Sequence, residues 1–340
     1  MEYRGGKFYF ALQKPQGFAL AYSYLTEKRN MNRILSAICS AILFLSMAPL
    51  GAQQGQAITQ KTQPMHEWHA MGSSPCPWLL PITRPDGDFD VDTTARYLKD
   101  AGFKCSVYLI QKAEKKSSYE NYQKLLEATK NTDIEMWAVI IPPSEGASSL
   151  PYRSDYIRWS EELSRLSLKY KNFRGFNIDD FDVGISHATF TRDYVCKIYQ
   201  AMKEINPHFL FIPTIYDLDR SVADRLAGCV DGVWLWWQNL ETATGLSSFI
   251  ENTRYAVDGR FPIYGGVYGH SASWHKERDP DPEVFRATLK TACKYADGAV
   301  IWQLSIKPGE PLLEETKPFL AGNSSPYAGK CGVAGSTVKH

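Results

Sequence analysis

The sequence has no Cys-x-x-Cys pair and no grouping of cysteine with histidine, which removes the common zinc sites from consideration. It has no glycine-rich phosphate turn behind an early apolar run, the feature an open doubly wound nucleotide-binding sheet requires. It lacks an excess of either charge. Its 38 basic and 37 acidic residues leave a formal net of +1, so no electrostatic footprint of nucleic acid or an anionic membrane is present. Long apolar runs are also missing. The most apolar stretch, 34–45, is too short for a transmembrane helix.

What is present is a globular composition, 44% hydrophobic, in a chain of 340 residues. Aromatics are plentiful, 9 Trp, 19 Tyr and 16 Phe, enough either for a large aromatic core or for a surface that binds flat apolar faces. From Met31 the order of Arg33, an apolar run and small residues is that of a secretory signal ending near Ala52. The expected organisation is therefore an upstream extension over 1–30 from an early start, a signal over 31–52 and a flexible Gln- and Thr-rich leader over 53–66. A folded region follows over 67–322, then a frayed Gly-, Ser- and Lys-rich tail over 323–340. The mature protein is expected to be secreted or periplasmic, with no transmembrane span after cleavage. Six cysteines then remain, Cys76, Cys105, Cys196, Cys229, Cys293 and Cys331. Export permits disulfides, but the spacings reveal no pairing, and some of the six are expected to be buried free thiols.

Within 67–322 apolar runs alternate with amphipathic segments. Strands are predicted over 78–82, 104–110, 135–141, 173–178, 209–215, 232–237, 261–267 and 299–304. Helices are predicted over 93–101, 119–129, 156–170, 190–205, 221–227, 244–256, 282–295 and 312–320. Eight of each in about 250 residues is the count of an α/β fold of the (β/α)8 TIM-barrel type, in a single domain.

A barrel carries its chemistry at the C-terminal ends of the strands, so those positions decide the function. The first three strands offer Thr83 and Arg84, Gln111 and Lys112, and Glu145 beyond Pro142-Pro143. The fourth offers Asn177, Asp179, Asp180 and Asp182, and the fifth Tyr216 and Asp217. The sixth offers Trp236, Trp237, Gln238 and Asn239, the seventh Tyr268, His270 and Trp274, and the eighth Trp302, Gln303 and Ser305. Schiff-base lysines, a Ser/His/Asp order and metal-binding histidine clusters are missing. Carboxylates, amides and tryptophan faces are what sugar chemistry uses. Of the three Trp in WLWWQN, strand alternation prevents all from pointing one way.

The centre of NIDDFD is the sharpest feature. Two adjacent carboxylates cannot both ionise cheaply, so one pKa should rise and one acid should stay protonated beside a charged neighbour. The plainer reading is that Asp179 caps the following helix and Asp180 is solvated.

The stretch FNIDDFDV, followed by a helix and FLFIPTIYD, resembles the O-GlcNAcase and bacterial hyaluronidase-type family of retaining β-N-acetylglucosaminidases, over residues 173–217. That resemblance implies substrate-assisted hydrolysis of a 2-acetamido sugar. Asp179 would orient the acetamido group, Asp180 would act as general acid and then base, and Tyr216 would bond near the acetamido. The family's Trp-Asp-Asn run on strand 7 is replaced here by Ile263-Tyr264-Gly265-Gly266-Val267, and its glycine-rich first strand by Pro75-Cys76-Pro77-Trp78. The chitinase pattern of alternating acids fits less well, since Phe181 stands at the proton-donor position.

The expectation is an exported glycoside hydrolase with a carbohydrate substrate, no nucleic acid partner, no cofactor and no metal. Asp179 and Asp180 are the catalytic pair. Asn177, Tyr216, Asp217, Trp236, Trp237, Gln238, Asn239, Tyr268, His270, Trp302 and Gln303 are the substrate-binding set. One variant uses an Asp of the pair as direct nucleophile with a carboxylate from another strand, Asp217 or Glu145. Two alternatives are a non-catalytic sugar-binding barrel with Trp236, Trp237 and Trp302 as stacking faces, and a calcium site from Asp179, Asp180 and Asp182.

Overall fold

The computed structural model describes residues 71, 74–111, 116–146, 148–270, 279–320 and 331, all within one compact unit of the chain. The expected extension, signal and leader lie outside the described residues, as do Lys112, Trp274 and all of the tail but Cys331.

Among the described residues nine parallel strands occur, with helices between all of them but the fifth and sixth. They are β1 (Cys76–Leu79), β2 (Cys105–Ile110), β3 (Glu135–Ile140), β4 (Phe173–Ile178), β5 (Leu210–Phe211), β6 (Thr214–Ile215), β7 (Val233–Trp236), β8 (Ile263–Tyr268) and β9 (Ala299–Leu304). The helices are α1 (Val91–Ala101), α2 (Tyr119–Thr129), α3 (Tyr156–Lys169), α4 (Ile185–Thr189), α5 (Arg192–Ile205), α6 (Arg220–Leu226), α7 (Leu246–Val257), α8 (Pro282–Tyr295) and α9 (Pro311–Leu320). Strand order is β5-β4-β3-β2-β1-β9-β8-β7-β6.

The sequence predicts eight strands, and the ninth comes from one proline. Pro213 has no N–H and interrupts the fifth strand between β5 and β6. β5 pairs with β4 and β6 pairs with β7, so this one broken strand closes the ring. The N–H groups of Ile212 and Trp234 complete the seam, donating to Phe176 O (3.1 Å) and Pro213 O (2.9 Å). The architecture is the (β/α)8 TIM-barrel fold.

Strand alternation sorts the apolar residues into two layers. One lies between the sheet and the helices. The other fills the barrel with Trp78, Val107, Trp137, Val139, Trp234, Trp236, Tyr264 and Val300. Trp78 lies 6.3 Å from both Trp234 and Trp236, in tilted contacts. Such large rings fit because two glycines give way. A Cβ on Gly175 would strike the Trp137 ring, and one on Gly266 would stand inside the Trp236 ring. That accounts for glycine in the β8 run.

Short polar residues start the helices. Asp90, Ser118, Asp155, Thr191, Asp219 and Asp281 each accept from an N–H of the first turn. β1 begins and ends earlier than predicted, because Pro81 cannot donate to a ladder. The helix predicted over 190–205 is α5, which starts at Arg192 behind its cap Thr191, and the short α4 before it was not predicted.

The expectation of free thiols is corrected. All six cysteines pair, as Cys76–Cys105, Cys196–Cys229 and Cys293–Cys331. Each closes a loop spanning 29 to 38 residues, worth about 3–4 kcal/mol in the chain-entropy account. Cys331 is buried by its bond to Cys293, although it falls in the segment expected to fray. Three disulfides fit an oxidising compartment. Among the described residues no helix is long and apolar enough to cross a membrane.

Candidate active site

At the C-terminal mouth of the barrel a cleft of about 390 Å³ is lined by Glu145, Asp179, Asp180, Val183, Tyr216, Trp236, Gln238, Tyr268 and Trp302. Three carboxylates therefore meet with no basic side chain among the described lining residues.

The backbone explains how two consecutive Asp side chains reach one cleft. Asp179 N–H donates to Ile140 O on β3 (3.2 Å), and Phe181 N–H donates to Thr214 O on β6 (3.2 Å). Asp180 is caught between bonds to opposite neighbours and takes a φ of +40°, a left-handed conformation that strains a residue with a Cβ. Phe181 is driven inward, stacking on Phe190 with ring centroids 4.2 Å apart. Asp179 is no helix cap. Its Oδ1 accepts from the Asp180 N–H (3.0 Å), and α4 begins later, behind Gly184, with no side-chain cap.

Glu145 arrives from the other direction. The chain leaves β3 through Pro142-Pro143 into a single 3-10 turn, Pro143–Glu145, stopped by Gly146 at φ +64°. Ser186 on α4 donates its hydroxyl hydrogen to Ser144 Oγ (3.0 Å), tying that turn to the segment behind the Asp pair.

The three acids are not equivalent. Burial raises Asp179 well above the usual carboxylate range, with the charges of Asp180 and Glu145 adding, while the Asp180 N–H and the Thr214 hydroxyl oppose. Glu145 is pushed up to about 7, by burial first and the charge of Asp180 second. Its residue sits on the exposed lip, so water screens part of that cost. Burial also raises Asp180, but the Tyr216 hydroxyl donates to its Oδ1 at 2.6 Å and favours its ionised form. Burial drives the Tyr216 phenol far upward, so it stays a neutral donor. Tyr216 thus favours the charged form of Asp180, while burial favours the protonated forms of Glu145 and Asp179. The family resemblance instead implies Asp180 as the acid and Asp179 as the orienting group.

The structure brings most of the expected set together. Tyr216, Trp236, Gln238, Tyr268 and Trp302 line the cleft. Trp237 and Asn239 line a second cleft beside it, of about 430 Å³, together with Leu240, Glu241 and Phe249. Asn177 is fully buried in the barrel wall, its amide donating to Ile212 O (2.6 Å) and Thr214 Oγ1 (3.1 Å), where it braces the break at Pro213. Asp217 is exposed and borders neither cleft, which leaves Glu145 as the companion carboxylate from another strand. His270 faces Asp279 (3.9 Å) and is likewise outside both linings. Gln303 has φ +49° at the end of β9, where the pairing with β1 shifts register, just behind the lining residue Trp302.

Asp182 is tied to Arg225 and to His187 Nδ1 (2.8 Å). A calcium site built from all three Asp would need that carboxylate. Among the described residues no group of three or more His, Cys, Asp or Glu is arranged to hold a metal ion.

No protein-family model matches the chain, and no curated protein does. Solved structures of glycoside hydrolases match its fold. One is a GH113 β-1,4-mannanase, with a TM-score of 0.52 and 8% identity, covering 73% of this chain and 98% of that one. Another is a GH27 β-L-arabinopyranosidase from Geobacillus stearothermophilus in complex with arabinose, with a TM-score of 0.53 and 11% identity, covering 76% of this chain and 79% of that one. At such identities the likeness is one of fold, the (β/α)8 barrel.

Proposed function

We propose that the protein is an exported glycoside hydrolase whose chemistry is carried by Glu145, Asp179 and Asp180. The observation behind this reading is the cleft itself: three carboxylates, no basic residue among its described lining, the Tyr216 phenol donating to Asp180, and aromatic walls at the C-terminal face of the barrel. Hydrolysis of a glycosidic bond needs an acid for the leaving oxygen and a negative charge facing the anomeric carbon. Glu145, with a pKa of about 7, fits the first part, and Asp180, held ionised by Tyr216, fits the second. Glu145 protonates the glycosidic oxygen as its bond to the anomeric carbon breaks, and Asp180 attacks that carbon or stabilises its positive charge. Water then adds to the anomeric carbon, displacing Asp180 where it has bonded there, and gives its proton to Glu145. Asp179, whose buried carboxyl favours its protonated form, bonds within the site.

A second reading is substrate-assisted cleavage of a 2-acetamido sugar, in which the acetamido oxygen replaces Asp180 as nucleophile. The adjacent pair with Tyr216 beside it, the pattern that carries the family resemblance, favours it.

Both readings are tested by assaying the mature protein against chromogenic glycosides, N-acetylhexosaminides included, alongside Asp180→Asn. We expect hydrolysis by the wild type and its loss in the variant. A wild type inert across a broad panel, yet able to bind glycans, would make this a non-catalytic sugar-binding barrel. Inhibition by a thiazoline mimic of the acetamido intermediate selects the substrate-assisted route; trapping of a sugar on Asp180 by a 2-fluoro glycoside selects the carboxylate nucleophile.

A further inference from the structure

The carboxylate cleft is not closed on the β7 side. Tyr216, Trp236 and Gln238 line both it and the neighbouring 430 Å³ cleft, so the two spaces share one wall. Tyr216 is also the residue bonded to Asp180, which puts the junction of the two clefts beside the reacting group.

The second cleft is built for a polar ring with apolar faces. Its floor is Trp237, held by an Nε1–H bond to Thr242 O (2.9 Å) and packed on Phe249 with ring centroids 5.7 Å apart. That fixed indole offers an aromatic face at little ordering cost. Its rim is polar. Asn239 Oδ1 accepts from the Glu241 N–H (2.9 Å), which shapes the loop and presents amides and a carboxylate at the edge. Each cleft has the volume of a small-ligand site.

We infer that the Trp237 cleft is a second sugar subsite, so that the substrate is an oligosaccharide or polysaccharide occupying both clefts across Tyr216. This rests on the glycosidase reading above. A lone terminal sugar on a small aglycone would leave the fixed Trp237 face empty.

The test is calorimetric binding of β-1,4-linked oligosaccharides of one to five units to the Asp180→Asn protein, in N-acetylglucosamine, glucose and mannose series. The same titrations are run with Trp237→Ala and with Asn239→Ala added, circular dichroism checking that each variant keeps the fold. We expect affinity to rise at least tenfold between one unit and three in the series that binds, and this gain to shrink below about threefold in both double variants. Affinity independent of length, or a length gain that survives both substitutions, overturns the subsite. If the wild type hydrolyses a chromogenic monosaccharide glycoside while no length gain is found, the subsite alone fails. If no series binds and no glycoside is cleaved, the glycosidase reading fails and the subsite with it.

Discussion

Two carboxylate sites flank the broken fifth strand, one at each end of the barrel, and they are built oppositely. Below β5, Asp231 accepts from the Phe211 N–H (2.9 Å), the Tyr199 hydroxyl (3.0 Å) and the Lys203 ammonium (3.0 Å). Lys203 in turn donates to Phe209 O (2.7 Å) and Pro207 O (3.2 Å). Burial raises Asp231, but the counter-charge of Lys203 opposes it. Beyond β4 and β6, Asp179, Asp180 and Glu145 face one another with no such cation among the described lining residues. The same residue type stands at two ends of one strand, paired with a cation at one end and clustered with other acids at the other. A paired buried charge is satisfied, whereas clustered unpaired acids cost stability and keep protons available near neutral pH.

The largest effect that can break this contrast is at Asp180. Asp180→Asn should cut kcat/KM by about a thousandfold or more with the fold retained, read by steady-state kinetics and circular dichroism. Lys203→Met should do the reverse. It strands the buried Asp231 carboxylate, costing about 3 kcal/mol in urea unfolding, and leaves kcat/KM within about twofold.

Asp179→Asn should stabilise the protein by about 1 kcal/mol at pH 7. The sign follows from the raised folded-state pKa. Such a carboxyl binds its proton more tightly folded than unfolded, so its contribution is complete below the usual carboxylate pKa and is lost as pH rises toward the folded value. The gain of the Asn variant should therefore vanish near pH 3.5. Unfolding midpoints at the two pH values check it. A smaller effect belongs to Tyr216→Phe. Removing the phenol bond that favours ionised Asp180 should move the acid limb of the activity profile upward and lower kcat/KM roughly tenfold.

Periodicity carried most of the fold. β4 and β9 fall where the apolar runs predict, as do α2 and α8, because each keeps a regular repeat between clear punctuation. The break at Pro213 was less legible, since FLFIPTI reads as one apolar run and only the ring geometry shows which neighbour each half takes. Disulfide partners 29 to 38 residues apart leave no local signal. At the site, the DD dipeptide and the Trp and Tyr positions were visible because strand ends converge in a barrel. The task of Asp182 was not, because Arg225, which holds it, comes from α6. Nor was the ionisation order of the pair, which depends on which Asp the Tyr216 hydroxyl reaches.

The central claim is that the unpaired acids work as one proton-holding set, with Glu145 as the member that titrates near neutrality. The pH dependence of kcat/KM for the wild type and Glu145→Gln, on an aryl glycoside with an activated leaving group, tests it most directly. The wild type should give a bell with an alkaline limb near pH 7, and the variant should lose that limb while keeping the acid one. An alkaline limb unchanged in Glu145→Gln would contradict the account.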